Sequence, residues 1–190
     1  MPKAYAKEAC KFNMERQRKS NTAADSNFTD AVISVRRVTK VTKGGKRFAF
    51  SAVVVTGDQQ GNIGMAQGKS REVSSAIAKA TSRARKNMIK VPLRGTTIPY
   101  PVVGRHGASK VILRSAYKGT GVIAGGAMRA VMDVVGIKDI LAKSIGAPQH
   151  QNVVKATLNA LAQLRSASHL ARLRGKTIEE ITKGSHVTAS

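Results

Sequence analysis

The chain has 190 residues, enough for one large or two small domains, each with a core of its own. Its 33 Lys and Arg against 10 Asp and Glu leave a formal charge of +23, and a surface that repels itself so strongly implies a standing polyanionic partner. No apolar run approaches the ~20 residues of a membrane span, so a soluble protein is expected, and a lone Cys10 excludes a disulfide framework or a cysteine zinc site within one chain.

The excess charge is spread along the chain. Residues 1–27 carry six basic and three acidic side chains, residues 28–104 fourteen and three, and residues 105–190 thirteen and four. Met1 to Asn27 is polar and has no clean period, which fits an extension, flexible or ordered on its partner. An imported presequence is the alternative, against which Glu8, Glu15 and Asp25 count.

Ala31 to Val41, AVISVRRVTKV, predicts a first strand with imperfect alternation. The loop Thr42-Lys43-Gly44-Gly45-Lys46 joins it to a second strand from Arg47, in which Phe48, Phe50, Ala52 and Val54 share one face and Ala49, Ser51, Val53 and Val55 the other. The paired glycines allow positive φ and close approach of another backbone. Flanked by Lys40, Lys43, Lys46 and Arg47, this loop fits either phosphate contact or an ordinary hairpin turn. Turn residues Gly57 to Asn62 lead into a third strand, Ile63 to Gln67, and then a helix from about Glu72 to Ile89. Val73, Ile77, Ala80, Ala84 and Met88 form its apolar stripe, and Lys79, Arg83, Lys86 and Lys90 a second, cationic one. Gly68-Lys69-Ser70-Arg71 stands at the start of that helix, where free amides favour an anion and Ser70 is a candidate cap; Lys69 and Arg71 reinforce the positive end. Three strands, a helix and charge at their junction match the way double-stranded-RNA-binding folds reach across a minor groove.

VPLRGTTIPYPVVGRHG, from Val91 to Gly107, holds three of the five prolines and predicts a connector, with the first domain ending near Arg94. Beyond it, Lys110 to Ser115 predicts a short strand and KGTGVIAGGAMRAVMDVVGI a glycine-rich turn followed by a helix. Ala127, Met128, Val131, Val134 and Val135 give that helix an apolar face and Gly136 its stop. Ile137 to Ile145 predicts a strand, Pro148 to Asn152 a turn, and Val153 to Leu164 a helix. Thr177-Ile178-Glu179-Glu180 matches a capping box for a short final helix, and Ser185 to Ser190 a frayed end. The resulting division is 1–27 extension, 28–94 RNA-binding domain, 95–107 connector, 108–166 α/β domain and 167–190 C-terminal helix and tail.

Gly119-Thr120-Gly121-Val122-Ile123-Ala124 fits the G-x-G-x-x-A variant of the dinucleotide fingerprint. Too little chain follows for a doubly wound sheet, and no acidic residue stands where ribose binding requires one, so tight packing of turn and helix is the better account. Lys118 and Arg129 add candidate phosphate contacts around this helix start. The four histidines are scattered without metal-ligand spacing and no serine sits in a nucleophile elbow, so no enzyme activity, metal or cofactor is expected. Seven Phe and Tyr with no Trp are too few for a surface that stacks single-stranded bases. Backbone and shape are the expected features read. With Arg36, Arg37 and Arg85 added, the cations named above and Gly44 and Gly45 form the candidate RNA-facing set.

The run KGGKRFAFSAVVVTGDQQGNIGMAQGKSREVSSAIAKATSRARKNM resembles the first domain of the bacterial-type small ribosomal subunit protein five family. GTGVIAGGAMRAVMDVVGIKDILAKSIG followed by NVVKATLNAL resembles its second domain, and RGKTIEEI its tail, covering roughly residues 28 to 182. The resemblance implies an α+β protein: a double-stranded-RNA-binding-like βββα domain lacking the first helix, then an α/β two-layer domain with a left-handed βαβ crossover, an exception to the usual hand. It further implies a structural, non-enzymatic role in the cytoplasmic small ribosomal subunit, on its rRNA near the decoding region. The expected neighbours are ribosomal proteins four and eight and the path by which mRNA enters, with no small-molecule substrate. The loop Thr39 to Lys46 would lie by the head–body junction, where spectinomycin-resistance changes occur in the family. Gly104, Arg105, His106, Gly107, Lys110 and Arg114 would face ribosomal protein four, at an interface associated with translational accuracy. A free architectural nucleic-acid-binding protein and a small kinase-like enzyme are the rival classes.

Overall fold

The computed structural model describes residues 28–183; the expectations for the 1–27 extension and for the end at Ser185 to Ser190 lie outside them. Four antiparallel strands in the order β1-β2-β3-β4 form the first sheet: β1 (Thr29–Thr42), β2 (Gly45–Gly57), β3 (Asn62–Ser70) and β4 (Met88–Lys90). Helix α1 (Val73–Lys86) lies on the face that carries Ala52 and Val54, with Ala76 and Ala80 packed against them. The approach is close because the facing strand is nearly bare. A Cβ at Gly68 would lie 2.1 Å from the Ala76 carbonyl oxygen, and one at Gly64 2.1 Å from that of Ala84. Small residues on both elements therefore let the helix rest on the strand backbone.

The second sheet, in the order β5-β6-β8-β7, comprises β5 (Val102–His106), β6 (Ser109–Ser115), β7 (Val122–Ile123) and β8 (Ile140–Gly146). Only β7 and β8 are parallel, and α2 (Gly126–Val135) joins them as a βαβ unit. Val102, Val111, Leu113 and Ile140 of this sheet are buried with Met128 and Val131 of α2 and with Val154, Ala160 and Leu161 of α3 (His150–Ala162). Short helices α4 (Ala167–Arg174) and α5 (Ile178–Lys183) follow. Two layers, a strand-rich first half and a mixed α/β second half, make the α+β class that is expected from the sequence.

One core runs through both halves. Val55, Ile63 and Val91 of the first sheet belong to the same buried cluster as Val131, Val134 and Ile137. The seam is polar as well as apolar. The last carbonyls of α2 have no partner within the helix, and the Gln59 amide donates to the Val134 carbonyl and the Gly61 amide to that of Val135, each at 3.1 Å. Asp58 shapes the donating turn by accepting from the Gln60 and Asn62 amides at 2.8 and 3.0 Å. Burial pushes its carboxyl pKa up, but these bonds and the one from the Asn62 side chain outweigh it and hold the pKa below the ordinary value. Gly136, at φ +92°, ends α2 in the left-handed conformation, as its place after the apolar face predicts.

Several boundaries differ from the sequence reading, each for a tertiary reason. Strand β3 continues through Gly68 to Ser70, so Ser70 does not cap α1; Glu72 occupies that position, without a side-chain cap bond, and its carboxylate accepts from the Ser75 hydroxyl. Helix α1 stops at Lys86 and Met88 lies on β4, where Ile89 pairs with Ile63. The helical spacing of Met88 and Lys90 is thus overridden by strand pairing. The predicted 95–107 connector contains β5, whose burial alternates between Val102 and Gly104 inward and Val103 and Arg105 outward. Five residues including a glycine, preceded by Pro99 and Pro101, leave too short a pattern to detect. Strand β8 starts at Ile140 because the Lys138 and Asp139 amides are held by the Thr96 carbonyl. Helix α3 starts at His150, inside the predicted turn, and α4 has no counterpart among the predicted elements; Ser166 caps it by accepting from the His169 amide. The capping box at Thr177 forms as its spacing predicts, with Thr177 Oγ1 accepting from the Glu180 amide and the Glu180 carboxylate from the Thr177 amide.

Candidate nucleic-acid interface

Strands β1 and β2 outrun their neighbour. The pairing of β3 to β2 ends where Ser70 meets Phe50, so residues 37–49 form a two-stranded arm with Lys43 and Gly44 at its tip. The Thr42 hydroxyl donates to the Gly45 carbonyl at 3.0 Å and closes the tip. Lys40 pairs with Arg47 and Val41 with Lys46. Because pleating alternates side chains, Arg36, Lys40 and Arg47 share one face and Arg37 and Lys46 the other. The Arg37 guanidinium sits 4.9 Å from the centre of the Phe48 ring, a cation–π contact on the second face. Val41 is 71 % exposed and Phe48 50 %, and the surrounding cations also guard this apolar edge against pairing with another chain.

Lys79, Arg83 and Lys86 are exposed on α1, and Lys90 is exposed on β4, beyond the helix. Arg83 donates to the Gln67 carbonyl at 3.3 Å. Arg71 is exposed just before α1, whereas Lys69 pairs with Ser51 on the face away from the helix. There Lys69 lines a concavity of about 190 Å³ with Arg36, Gln149 and Gln151, and Arg36 donates to the Gln149 side chain at 3.1 Å. The candidate cations therefore divide between two sides of the first sheet.

Arg85 points inward. It bridges to Asp30 at 3.1 Å and its guanidinium lies 5.6 Å from the Phe28 ring centre. This partly exposed pair ties β1 to α1, so Arg85→Ala is expected to lower unfolding stability by about 1–2 kcal/mol. Denaturation titrations of the variant beside the parent measure it.

In the second half, Lys118 and Arg129 are exposed on either side of the glycine turn. The turn's amides are already used: Gly119 and Gly121 donate to Asp139 Oδ1 at 2.9 and 3.0 Å. In a dinucleotide site such amides would face pyrophosphate; here an internal carboxylate takes its place. The Thr96 side chain first, then the Gly121 amide, followed by those of Gly119 and Thr120, hold the Asp139 carboxyl below its ordinary pKa of 3.8 against the opposing effect of burial. A depressed folded-state pKa adds stability that is fully present above 3.8 and is lost as pH falls through the lower folded value. Asp139→Asn should therefore lower the urea midpoint by a constant amount at neutral pH, and the gap from the parent should close below that value.

Among the described residues no group of His, Cys, Asp and Glu is arranged to hold a metal ion, and no helix is long and apolar enough to cross a membrane.

Comparison with known proteins follows the same two halves. The family described as "Ribosomal protein S5, N-terminal domain" matches residues 28–92, and "Ribosomal protein S5, C-terminal domain" matches residues 104–174. Small ribosomal subunit protein uS5 of Nitrosococcus oceani is 51 % identical over 162 residues, which span 85 % of this chain and 95 % of that protein. The chain belongs to the ribosomal protein S5 family. The protein of that name from Flavobacterium psychrophilum is 53 % identical over 155 residues, 82 % of this chain and 89 % of the relative. That of Dinoroseobacter shibae is 47 % identical over 169 residues, 88 % of each. The family is one of ribosomal proteins and not of enzymes.

For this S5 family member, the residues expected to face a protein neighbour do not all reach the surface. Gly104 is buried, and a Cβ there would lie 2.1 Å from the Ala156 carbonyl oxygen, so its role is the close fit of β5 beneath α3. Arg105 and Arg114 are exposed, Lys110 and His106 half-buried, and Gly107 turns the chain at φ +56°. Arg105 pairs with Lys110, and Lys110 with Ile145, across three neighbouring strands. Lys143, opposite Ile112, extends the same cationic face but is absent from the set predicted from sequence. Its signal is the alternation Leu141, Lys143, Ile145 in β8, all three exposed to some degree along one strand.

Proposed function

We propose that this protein is a structural, rRNA-binding component of the small ribosomal subunit in the cytoplasm, and that it acts as a rigid bracket between RNA segments. The observation that carries the bracket is the shared core: exposed cations stand on both halves, while Val55 and Ile63 of one half are buried with Val131 and Val134 of the other. Two positive surfaces held at a constant separation neutralise phosphates on two RNA segments and resist their relative motion. Neutralising phosphates releases counterions, so binding of the free protein falls steeply with salt.

The arm from Arg37 to Ala49 is the part suited to reach furthest into RNA. In this reading its tip lies by the head–body junction, near the path by which mRNA enters. Arg105, Lys110 and Arg114 face ribosomal protein four, the molecule also abuts ribosomal protein eight, and translational accuracy depends on this placement. Support comes from the family membership and from the cationic character of both surfaces.

The test is sedimentation of the protein from a lysate in low and then about 0.5 M monovalent salt, a concentration that strips simple screened attraction. Retention at near one copy per small subunit is expected. Loss at high salt, or spread over all nucleic acid, would point instead to a free architectural protein.

A further inference from the structure

Tyr117 is 92 % exposed, the most exposed large apolar or aromatic side chain among the described residues. Its backbone, by contrast, is pinned. The Thr120 amide and hydroxyl both donate to the Tyr117 carbonyl, at 3.1 and 2.8 Å. The preceding amide, of Ala116, donates to the Thr97 hydroxyl at 3.3 Å, and the two glycine amides that follow are held by Asp139. A ring left in water adds little to folding, but with its backbone already fixed only the ring's own rotamers are lost when something docks on it.

The surroundings indicate what docks. Tyr117 lines a concavity of about 730 Å³ together with Arg94, Thr96, Thr97, Pro99 and Lys118. Arg94 and Lys118 are both exposed, and no carboxylate joins the lining, because buried Asp139 faces back toward the glycine amides. A flat aromatic face and two cations lining one hollow suit one nucleobase and its flanking phosphates. In a paired stem the base faces are covered by their neighbours, so only an unpaired nucleotide can use the ring.

We propose that Tyr117, in one hollow with Arg94 and Lys118, is a stacking ledge for a single unpaired RNA base, with the two cations holding the adjacent phosphates. This rests on the RNA-binding reading above, and it adds local single-strand recognition to a molecule otherwise suited to backbone and shape.

The chain has no tryptophan, so Tyr117→Trp places the sole indole on the ledge. Two RNA probes suffice: a loop-free stem of two annealed strands with one bulged adenosine, and the same two-stranded stem fully paired. The bulged stem should quench the indole emission and the paired stem hardly at all. Tyr117→Ala should weaken binding of the bulged stem about tenfold and leave the paired stem unchanged, while Tyr117→Phe keeps the parent affinity for both. Equal quenching by the two stems, or none while both still bind, would overturn the ledge and leave the RNA-binding reading standing. If neither stem binds the parent protein at low salt, both readings fall.

Discussion

Gly136→Ala is expected to lower the thermal unfolding midpoint by about 6–12 °C, an effect of about 3 kcal/mol in a chain of this length. Two penalties coincide at this position. The backbone has φ +92°, and a Cβ would stand 2.1 Å from the Gln59 carbonyl oxygen. The left-handed conformation costs an alanine about 1 kcal/mol, and overpacking against backbone that cannot swing aside adds roughly 1–3 kcal/mol. The neighbour in question belongs to the turn whose amides at Gln59 and Gly61 satisfy the end of α2. Displacing that turn opens the seam between the two halves, so the melting transition should also broaden as they unfold less cooperatively. Gly44→Ala is the control: no atom lies within 4 Å of its Cβ and its φ is not positive, so calorimetry should find it within about 0.5 kcal/mol of the parent. A Gly136→Ala protein that melts with the parent would show that the seam does not hold the two halves together.

Replacing Lys40, Lys43, Lys46 and Arg47 together by Gln is expected to reduce the slope of log affinity against log salt by about 3 to 4, since each phosphate left without its cation lowers it by close to one. All four side chains are exposed on the arm, so the unfolding midpoint should stay within a few degrees of the parent. Because bonds to phosphate carry no sequence information, affinity for different RNA stems should fall by a similar factor. The same four changes should impair small-subunit assembly or raise misreading if the arm lies by the head–body junction. Filter-binding titrations from about 50 to 200 mM salt measure the first effect, and subunit profiles with a misreading reporter the second. An unchanged salt slope would remove the arm from the RNA interface.

Much of this protein is legible locally. The arm follows from alternation between Arg47 and Val55 and from the Gly44-Gly45 pair, since a period of two and a tight turn need no distant partner. Helix α2 and its stop follow from Met128, Val131, Val134 and Gly136 for the same reason. The capping box at Thr177 is likewise a relation between residues three apart. The expectation of a polyanionic partner needs only the charge balance.

Other features depend on residues far apart in the chain, and there local pattern is silent or misleading. Met88 and Lys90 keep helical spacing, yet pairing of Ile89 with Ile63 draws them into β4. Arg85 looks like one more cation of the helix until Asp30, 55 residues away, claims it. Gly104 resembles a surface turn residue until α3 is laid across it, and Tyr117 looks like an ordinary aromatic until its turn is pinned with the ring outside. The division of the arm's cations between two faces depends on register, which is set by pairing and not by composition. Most of the elements, the charge and the class of partner are thus properties of the linear chain, because they depend on neighbours within a few residues or on a simple sum. Which cations stay exposed, which glycines bear a packed backbone and how the two halves become one body are properties of the folded molecule, because each is a contact between segments that chain order keeps apart.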